Sequence, residues 1–297
     1  MSGWKPWQHQ ANSSSYVLPV TDLWSSLVPA ALERRRPALI GVLHLPPLPG
    51  SPRWGGSMTA VERWALTDAA AYLEGGADAL VVENFGDGPF FAGAVPCDTV
   101  AAMGVIARAV VQQAGAVPVG INMLRNDAAA ALAVAVASGA SFVRVNVLSG
   151  AMVTDQGLIQ SQAAQLLRQR RLLGAEAVAL LADVLVKHAY PLAPQPIAEA
   201  VEDTLQRACA DGVIVSGVAT GAAPKLEHLQ QARSAARGAP VFIGSGCDLN
   251  NAAELAAHAD GVIVASSLKR DGVLANPVDP LRVRQLRQAL DRCQTPS

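Results

Sequence analysis

The sequence predicts a single (β/α)8 barrel, and three observations predict it. From Ala38 onward, short β-rich apolar runs alternate with alanine-rich helical stretches, eight times in about 255 residues. The runs are apolar on both faces, as parallel strands covered by helices must be. Several helices also end on one kind of junction, in which small or capping residues close the helix just before a strand opens. These are Gly75-Gly76-Ala77-Asp78-Ala79, Ser138-Gly139-Ala140-Ser141-Phe142, Cys209-Ala210-Asp211-Gly212 and His258-Ala259-Asp260-Gly261. Of the 297 residues, 51% are apolar and 16% charged, which excludes a disordered chain and supplies a large core. Length alone allows two domains, but α/β barrels of about 250 residues fold as one.

Residues 1–37 read as an extension. The first 20, with Trp4, Pro6, Trp7, Ser13-Ser14-Ser15 and Pro19, carry no periodicity and suggest a mobile arm. Asp22 is placed to cap a short helix whose Leu23, Leu27, Ala30 and Ala31 share a face until Pro37 ends it. The barrel then occupies 38–297. Strands are expected at 38–43, 79–83, 117–121, 142–147, 178–185, 212–215, 240–243 and 261–265, from β-branched and aliphatic runs bounded by glycine, proline or aspartate. Helices are expected at 58–74, 98–113, 128–138, 159–173, 197–210, 226–237, 250–258 and 280–291. An open doubly wound sheet would need a glycine-rich fingerprint after the first strand. That strand instead runs into His44-Leu45-Pro46-Pro47-Leu48-Pro49-Gly50, whose prolines cannot present a row of N–H groups.

A formal net charge of −1, with cations and anions spread along the chain, argues against a nucleic-acid partner. The one basic cluster, Arg34-Arg35-Arg36, reads as a solvated helix end, with phosphate or lipid contact as the alternative. The four cysteines, Cys97, Cys209, Cys247 and Cys293, lie far apart without companion histidines, so a reducing compartment and buried or inert thiols are expected, and a zinc site is not. The longest apolar run, Ala128 to Ala137, is too short to span a bilayer and reads as a core helix. Met1 to Gln10 lacks the apolar stretch of a secretory signal. A cytoplasmic protein, at most peripheral on a membrane, follows.

In such a barrel the ligand site is built at the C-terminal ends of the strands. Polar residues concentrate there: His44, then Glu83 and Asn84 with Asp87, then Asn122 with Arg125-Asn126-Asp127. The fourth strand carries Arg144 and Asn146, the fifth Asp183 followed by Lys187-His188, and the sixth Ser216 followed by Thr220-Gly221. Each such group is costly to bury unpaired, which points to a site, although salt bridges plugging the mouth would also satisfy them. After the seventh and eighth strands come Gly244-Ser245-Gly246 and Ser266-Ser267-Leu268-Lys269. Barrels often hold phosphate at this place, with glycines admitting the anion, hydroxyls donating and a lysine adding charge. Tight loops need small residues too. Glu83 and Asp183 are candidates for general acid and base, and equally open to being locked by an arginine such as Arg144. Lys187 beside His188 is either a Schiff-base lysine with a proton donor or a plain charge partner for an acidic substrate. His44, Glu83, Asp183 and His188 together would suit a divalent metal, but without a closely spaced histidine pair no metal and no cofactor is expected.

From Ala38 to about Leu290 the chain closely resembles the BtpA/SgcQ family, a group similar to the ribulose-phosphate-binding barrels. The resemblance is carried by Gly41-Val42-Leu43-His44-Leu45-Pro46-Pro47-Leu48-Pro49, Val82-Glu83-Asn84-Phe85-Gly86-Asp87-Gly88-Pro89-Phe90 and Asn122-Met123-Leu124-Arg125-Asn126-Asp127. Arg144-Val145-Asn146-Val147, Thr154-Asp155-Gln156-Gly157, Asp183-Val184-Leu185-Val186-Lys187-His188, Thr220-Gly221, Gly244-Ser245-Gly246 and Ala265-Ser266-Ser267-Leu268-Lys269 extend it. The chain is most similar to the cyanobacterial members, whose named role implies photosystem I biogenesis and peripheral association with the cytoplasmic face of the thylakoid. Some bacterial relatives are described as nucleosidases, by inference. The extension before Pro37 departs from the compact pattern of the family.

Three readings follow. In the first, the resemblance implies a photosystem I biogenesis factor that works with the assembly machinery and carries a small-anion or phosphorylated-metabolite site on its barrel. In the second, the strand-end cluster is an enzyme site for a phosphorylated or ribosyl molecule. There Glu83, Asp183, Lys187 and His188 are catalytic, His44, Asn84, Asn122, Arg125, Asn126, Arg144, Asn146, Thr220 and Gly221 orient ligand, and Gly244, Ser245, Gly246, Ser266, Ser267 and Lys269 hold phosphate. A lyase acting through Lys187 is the third. A homo-oligomer is expected, with the N-terminal helix over the barrel bottom or a neighbouring subunit; a tryptophan-bearing arm at an anionic membrane is the alternative.

Overall fold

In a computed structural model, which describes Ala31, residues 36–217 and residues 222–293, the eight expected barrel strands form in the expected order. They are β1 (Ala38–His44), β2 (Ala79–Glu83), β3 (Val119–Asn122), β4 (Phe142–Val145), β7 (Ala179–Val184), β9 (Gly212–Val215), β10 (Val241–Ile243) and β11 (Gly261–Val264). Neighbours pair in parallel in that order, and β11 pairs with β1 to close the ring. The arm and its capped helix lie outside the described residues, apart from a helical, buried Ala31 and the segment entering β1.

The helices form where caps and breakers place them. Ser57 accepts the Ala60 N–H to start α1 (Met58–Gly75), and Gly76, at φ 87°, ends it in the left-handed conformation that glycine permits. Around the ring follow α2 (Cys97–Ala114), α3 (Ala128–Ser138, capped by Asp127), α4 (Ala163–Leu172), α5 (Ile197–Glu202), α6 (Leu226–Ala236), α7 (Ala252–Ala256) and α8 (Pro280–Leu290, capped by Asp279). The alanine-rich run at 128–137 is the α3 core helix. No helix among the described residues is long and apolar enough to cross a membrane.

Two helical expectations are corrected. The helix expected at 159–173 starts only at Ala163, because Ile159 and Gln160 belong to a strand. Here β5 (Ala151–Thr154) and β6 (Gly157–Gln160) form an antiparallel hairpin, and β8 (Ala189–Pro191) adds to β5. Met152 and Ile159 turn one face of this small sheet inward onto Val147 and Val186, leaving Val153, Leu158 and Tyr190 exposed on the other. The helix expected at 197–210 widens to a π-turn over Asp203–Arg207 and stops there; Thr204 donates to the Ala200 carbonyl inside that wider turn.

The core has two layers. Alternate strand residues, including Ile40, Val42, Val81, Phe142, Leu181, Ile214, Phe242 and Ile263, fill the barrel interior, while the other set packs against the helices. Gly120 makes room for the Phe142 ring: a Cβ there would lie 2.2 Å from it. Two of the thiols expected to be buried or inert, Cys97 and Cys209, are exposed, whereas Cys247 is buried and its pKa is pushed up to about 12 by that burial.

At the N-terminal ends of the strands one device recurs. Asp78, Asp211 and Asp260 each precede a strand and accept the backbone N–H of Leu39, Leu180 or Val241 on the neighbouring strand, each at 2.8 Å. In return each aspartate's own N–H donates to the carbonyl of that same residue. Arginines complete the clamps: Arg36 and Arg287 on Asp78, Arg170 on Asp211, Arg233 on Asp260. Arg36 is therefore not a solvated helix end or an anchor for lipid. It is buried, and closes the underside of the barrel with Asp78 and Asp291. Arg34 and Arg35 lie outside the described residues.

Candidate functional site

The period-2 alternation that fills the interior with apolar side chains continues to the top of each strand, where it turns polar. Following Val42, Val81, Gly120, Phe142, Leu181, Ile214 and Phe242 by two residues gives His44, Glu83, Asn122, Arg144, Asp183, Ser216 and Gly244. The register aligns His44 with Glu83, Glu83 with Asn122 and Asn122 with Arg144, so this layer is a continuous ring segment.

Glu83 sits at its centre. The Asn122 side-chain amide donates to its Oε2 at 2.5 Å, and the His44 Nε2 lies 3.4 Å from its Oε1. The His44 ring stacks on Phe85 with centroids 4.2 Å apart. Burial lowers the His44 pKa to about 4; the carboxylate of Glu83 opposes the shift while Lys269, Lys187 and Arg144 add to it, so the imidazole is neutral.

Asp183 has a different role. Arg144 donates to both of its oxygens at 2.8 and 2.9 Å, Asn146 adds a bond at 3.2 Å and Ser216 one at 3.1 Å. Its side chain is fully shielded, and every lone-pair direction of use to a substrate is occupied. Of the two readings open from the sequence, the arginine lock holds for Asp183, which positions Arg144 and Asn146 and is not placed to exchange protons with a ligand.

Two cavities meet at this ring. The larger, about 850 Å³, is bordered by the turn of the hairpin and by β8, and is lined by Phe90, Asn122, Arg125, Asn146, Gln156 and Tyr190 among others. The smaller, about 190 Å³, is enclosed by Gly244-Ser245-Gly246 and Ser266-Ser267 after β10 and β11. Glu83, Arg144 and Lys187 line both, so the two are lobes of one hollow. Buried polar atoms without a protein partner cluster there: His44 Nδ1, Asn122 Oδ1, Asn146 Oδ1, Gln156 Oε1 and Ser245 Oγ make up five of eight such atoms among the described residues. Orphaned polar atoms in a cavity are what a bound polar molecule satisfies. The glycines let this loop pack closely on its neighbours: a Cβ on Gly244 would lie 2.3 Å from Ser216 Oγ, and one on Gly246 2.2 Å from the Ala222 backbone.

Other candidates stand elsewhere. Lys269 faces away from the lobes; it is fully buried, 2.5 Å from Asp68 Oδ2, with its ammonium over the Trp64 ring. Asn84 bridges to Leu124 and Asp87, and Asn126 bridges both ways to the Val147 backbone, so each braces loops. Arg125 lines the large lobe and donates to the Lys187 carbonyl at 2.7 Å. Lys187 and His188 follow β7 in a turn where Leu185 and His188 adopt φ of 49° and 56°. His188, exposed at the rim of the large lobe, has its pKa lowered by burial, Lys187 and Arg125. Thr220 and Gly221 lie outside the described residues. Among the described residues no group of three or more histidine, cysteine, aspartate or glutamate side chains is arranged to hold a metal.

Several lining residues escaped the reading of the sequence: Phe85, Phe90, Gln156, Tyr190, Lys225 and His228. Phe85 and Phe90 are loop aromatics, which have no periodicity to expose them. Gln156 and Tyr190 come with the hairpin sheet, whose one signal is the two-residue turn between Thr154 and Gly157.

Known proteins share this architecture. Tryptophan synthase from Mycobacterium tuberculosis superposes with a TM-score of 0.59 at 21% identity, over 89% of this chain and 96% of that one. Thiamine phosphate pyrophosphorylase from Pyrococcus furiosus gives 0.53 at 16% identity, over 87% and 98%. At these identities the likeness concerns the fold. In sequence, the photosystem I biogenesis protein BtpA of Synechocystis is 53% identical over 252 residues, 85% of this chain and 87% of that protein. A Pyrococcus furiosus protein is 44% identical over 86% of this chain and 95% of its own length, and a mitochondrial protein of Caenorhabditis elegans is 34% identical over 86% and 94%. The BtpA family pattern matches residues 35–292, from the clamp beneath β1 through the last helix, and the chain belongs to the BtpA family.

Proposed function

We propose that the barrel mouth binds a small phosphorylated molecule, with its phosphate in the lobe between Gly244–Gly246 and Ser266–Ser267 and its body in the larger lobe beside the hairpin turn and β8. Glu83 is the acid/base group on that molecule. The observation that carries this reading is the set of unsatisfied buried polar atoms on the walls of a hollow whose two lobes share Glu83, Arg144 and Lys187. Arg144 and Lys187 supply positive charge and Asn122 orients the carboxylate. Inorganic phosphate at millimolar concentration should raise the melting temperature of the protein, because a ligand that binds only the folded state stabilises it by mass action. Gly244→Ala, whose added Cβ would press on Ser216 and Arg144 at the wall of the lobe, should abolish that rise; an equal rise in both proteins would rule the lobe out.

We further propose that this chemistry serves photosystem I biogenesis, as the 53% identity to the Synechocystis protein of that name supports. Relatives in Pyrococcus furiosus and Caenorhabditis elegans, neither of them photosynthetic, favour an effect through a metabolite over a dedicated assembly scaffold. Attachment to the thylakoid surface belongs to the same reading and is tested by fractionation with salt washes. A deletion strain of a photosynthetic host that keeps normal photosystem I content would contradict the link.

A further inference from the structure

We propose that Lys187 is a nucleophilic lysine that holds a small phosphorylated aldehyde or ketone as a covalent iminium, a role that rests on the phosphate reading above. Lys187 lines both lobes, so a molecule with its phosphate in the small lobe and its body in the large one passes the amine. Among the described residues its ammonium makes no hydrogen bond and no ion pair, unlike Lys269, which is locked to Asp68. Of the two carboxylates whose charge acts on it, Asp183 is saturated by Arg144, Asn146 and Ser216. Burial and the guanidinium of Arg144, with that of Arg125, lower the Lys187 pKa against the pull of Glu83 and Asp183. The segment that carries it is bracketed by two non-glycine residues in the left-handed region, Leu185 and His188, a conformation kept where surrounding structure imposes it.

Composition adds an independent argument. Only four of the 23 basic residues are lysines, Lys5, Lys187, Lys225 and Lys269; the other nineteen are arginine. A chain that meets its need for positive charge with arginine would gain a better fork for phosphate from arginine at 187 as well. What arginine cannot do is lose a proton and attack a carbonyl.

The step balances without an added reagent. The Lys187 ammonium gives one proton to the Glu83 carboxylate, and the freed nitrogen lone pair forms a bond to the carbonyl carbon as the C=O π pair moves to oxygen. That oxygen takes one proton from nitrogen and a second from Glu83 and departs as water, while the remaining nitrogen lone pair closes the C=N bond. An ammonium and a carbonyl become an iminium and one water, with charge +1 on each side. The iminium then accepts the electron pair of a bond broken at the adjacent carbon.

The test uses the full chain with glyceraldehyde 3-phosphate and dihydroxyacetone phosphate as probes and sodium cyanoborohydride to reduce the iminium, read by intact mass and peptide mapping. The expected result is one adduct, on Lys187. An amine whose pKa is lowered carries a larger neutral fraction, so Lys187 should be labelled faster than the exposed Lys225. Inorganic phosphate should suppress the adduct, glyceraldehyde should not favour Lys187, and Glu83→Gln should slow trapping without changing which lysine is labelled. Lys187→Arg, which keeps the charge, should fold and lose the adduct. No adduct on Lys187 from either probe, or equal labelling of Lys187 and Lys225, overturns the proposal. If phosphate still raises the melting temperature in that case, the lysine chemistry alone fails; if it does not, the phosphate reading fails with it.

Discussion

Glu83 and Asp183 are both buried carboxylates at strand ends, and their neighbours give them separate tasks. Glu83 lines both lobes and accepts one donated bond, from Asn122, while Asp183 is enclosed by four. Glu83→Gln should therefore fold with near wild-type stability and fail to complement a deletion strain. Asp183→Asn should lower stability by about 3–5 kcal/mol in urea unfolding, because the buried Arg144 guanidinium loses its counter-charge. Full complementation by Glu83→Gln would contradict the assignment. His44 sets a pH limit. Neutral in the fold down to pH about 4 and ordinary, at about 6.5, when unfolded, it lets the unfolded chain bind more protons between those values. Its effect on stability is flat above pH 6.5 and falls by up to about 3 kcal/mol as the pH drops to 4. Urea midpoints across that range should fall less steeply in His44→Phe, which keeps the stack on Phe85; an unchanged slope from pH 6.5 to 5 would refute the neutral imidazole.

At the scale of elements, the sheet β5-β6-β8 borders the large lobe through its turn and β8, and is held by Met152 and Ile159 on Val147 and Val186. Ile159→Asp should release this sheet and weaken binding of phosphorylated probes in calorimetry, while far-UV circular dichroism of the barrel stays intact; unchanged affinity would remove the sheet from the site. The barrel strands were legible because residues apolar on both faces, closed by Gly-Ala-Asp junctions, have few other uses, and β2 and β9 fall on the residues expected. The hairpin was not, because Met152-Val153-Thr154 and Leu158-Ile159 are too short to show alternation, and Ile159 also fits the apolar face of the helix that follows. In the site, spacing located the ring from His44 to Gly244, since that ring continues each strand's period. It could not tell which polar groups face the hollow: Asn84, Asn126 and Lys269 share the same strand ends, yet partners distant in sequence turn them to bracing loops and a buried ion pair.

For the molecule as a whole, stability and chemistry occupy opposite ends of one barrel. The underside is closed by three Asp clamps with their arginines, the mouth by polar side chains short of partners. Asp78→Ala should leave Arg36 and Arg287 with only the more exposed Asp291 as counter-charge, lowering stability by up to about 3 kcal/mol with no change in phosphate affinity below the melting transition. A loss of affinity matching the loss of stability would argue against this separation. The most direct measurement is a crystal structure grown with glyceraldehyde 3-phosphate, in which the phosphorus atom can be located. The account places it between Gly244–Gly246 and Ser266–Ser267, with the carbon chain leading past Lys187 and Glu83; a phosphorus bound at the underside or on the outer surface, with both lobes holding only solvent, would contradict it.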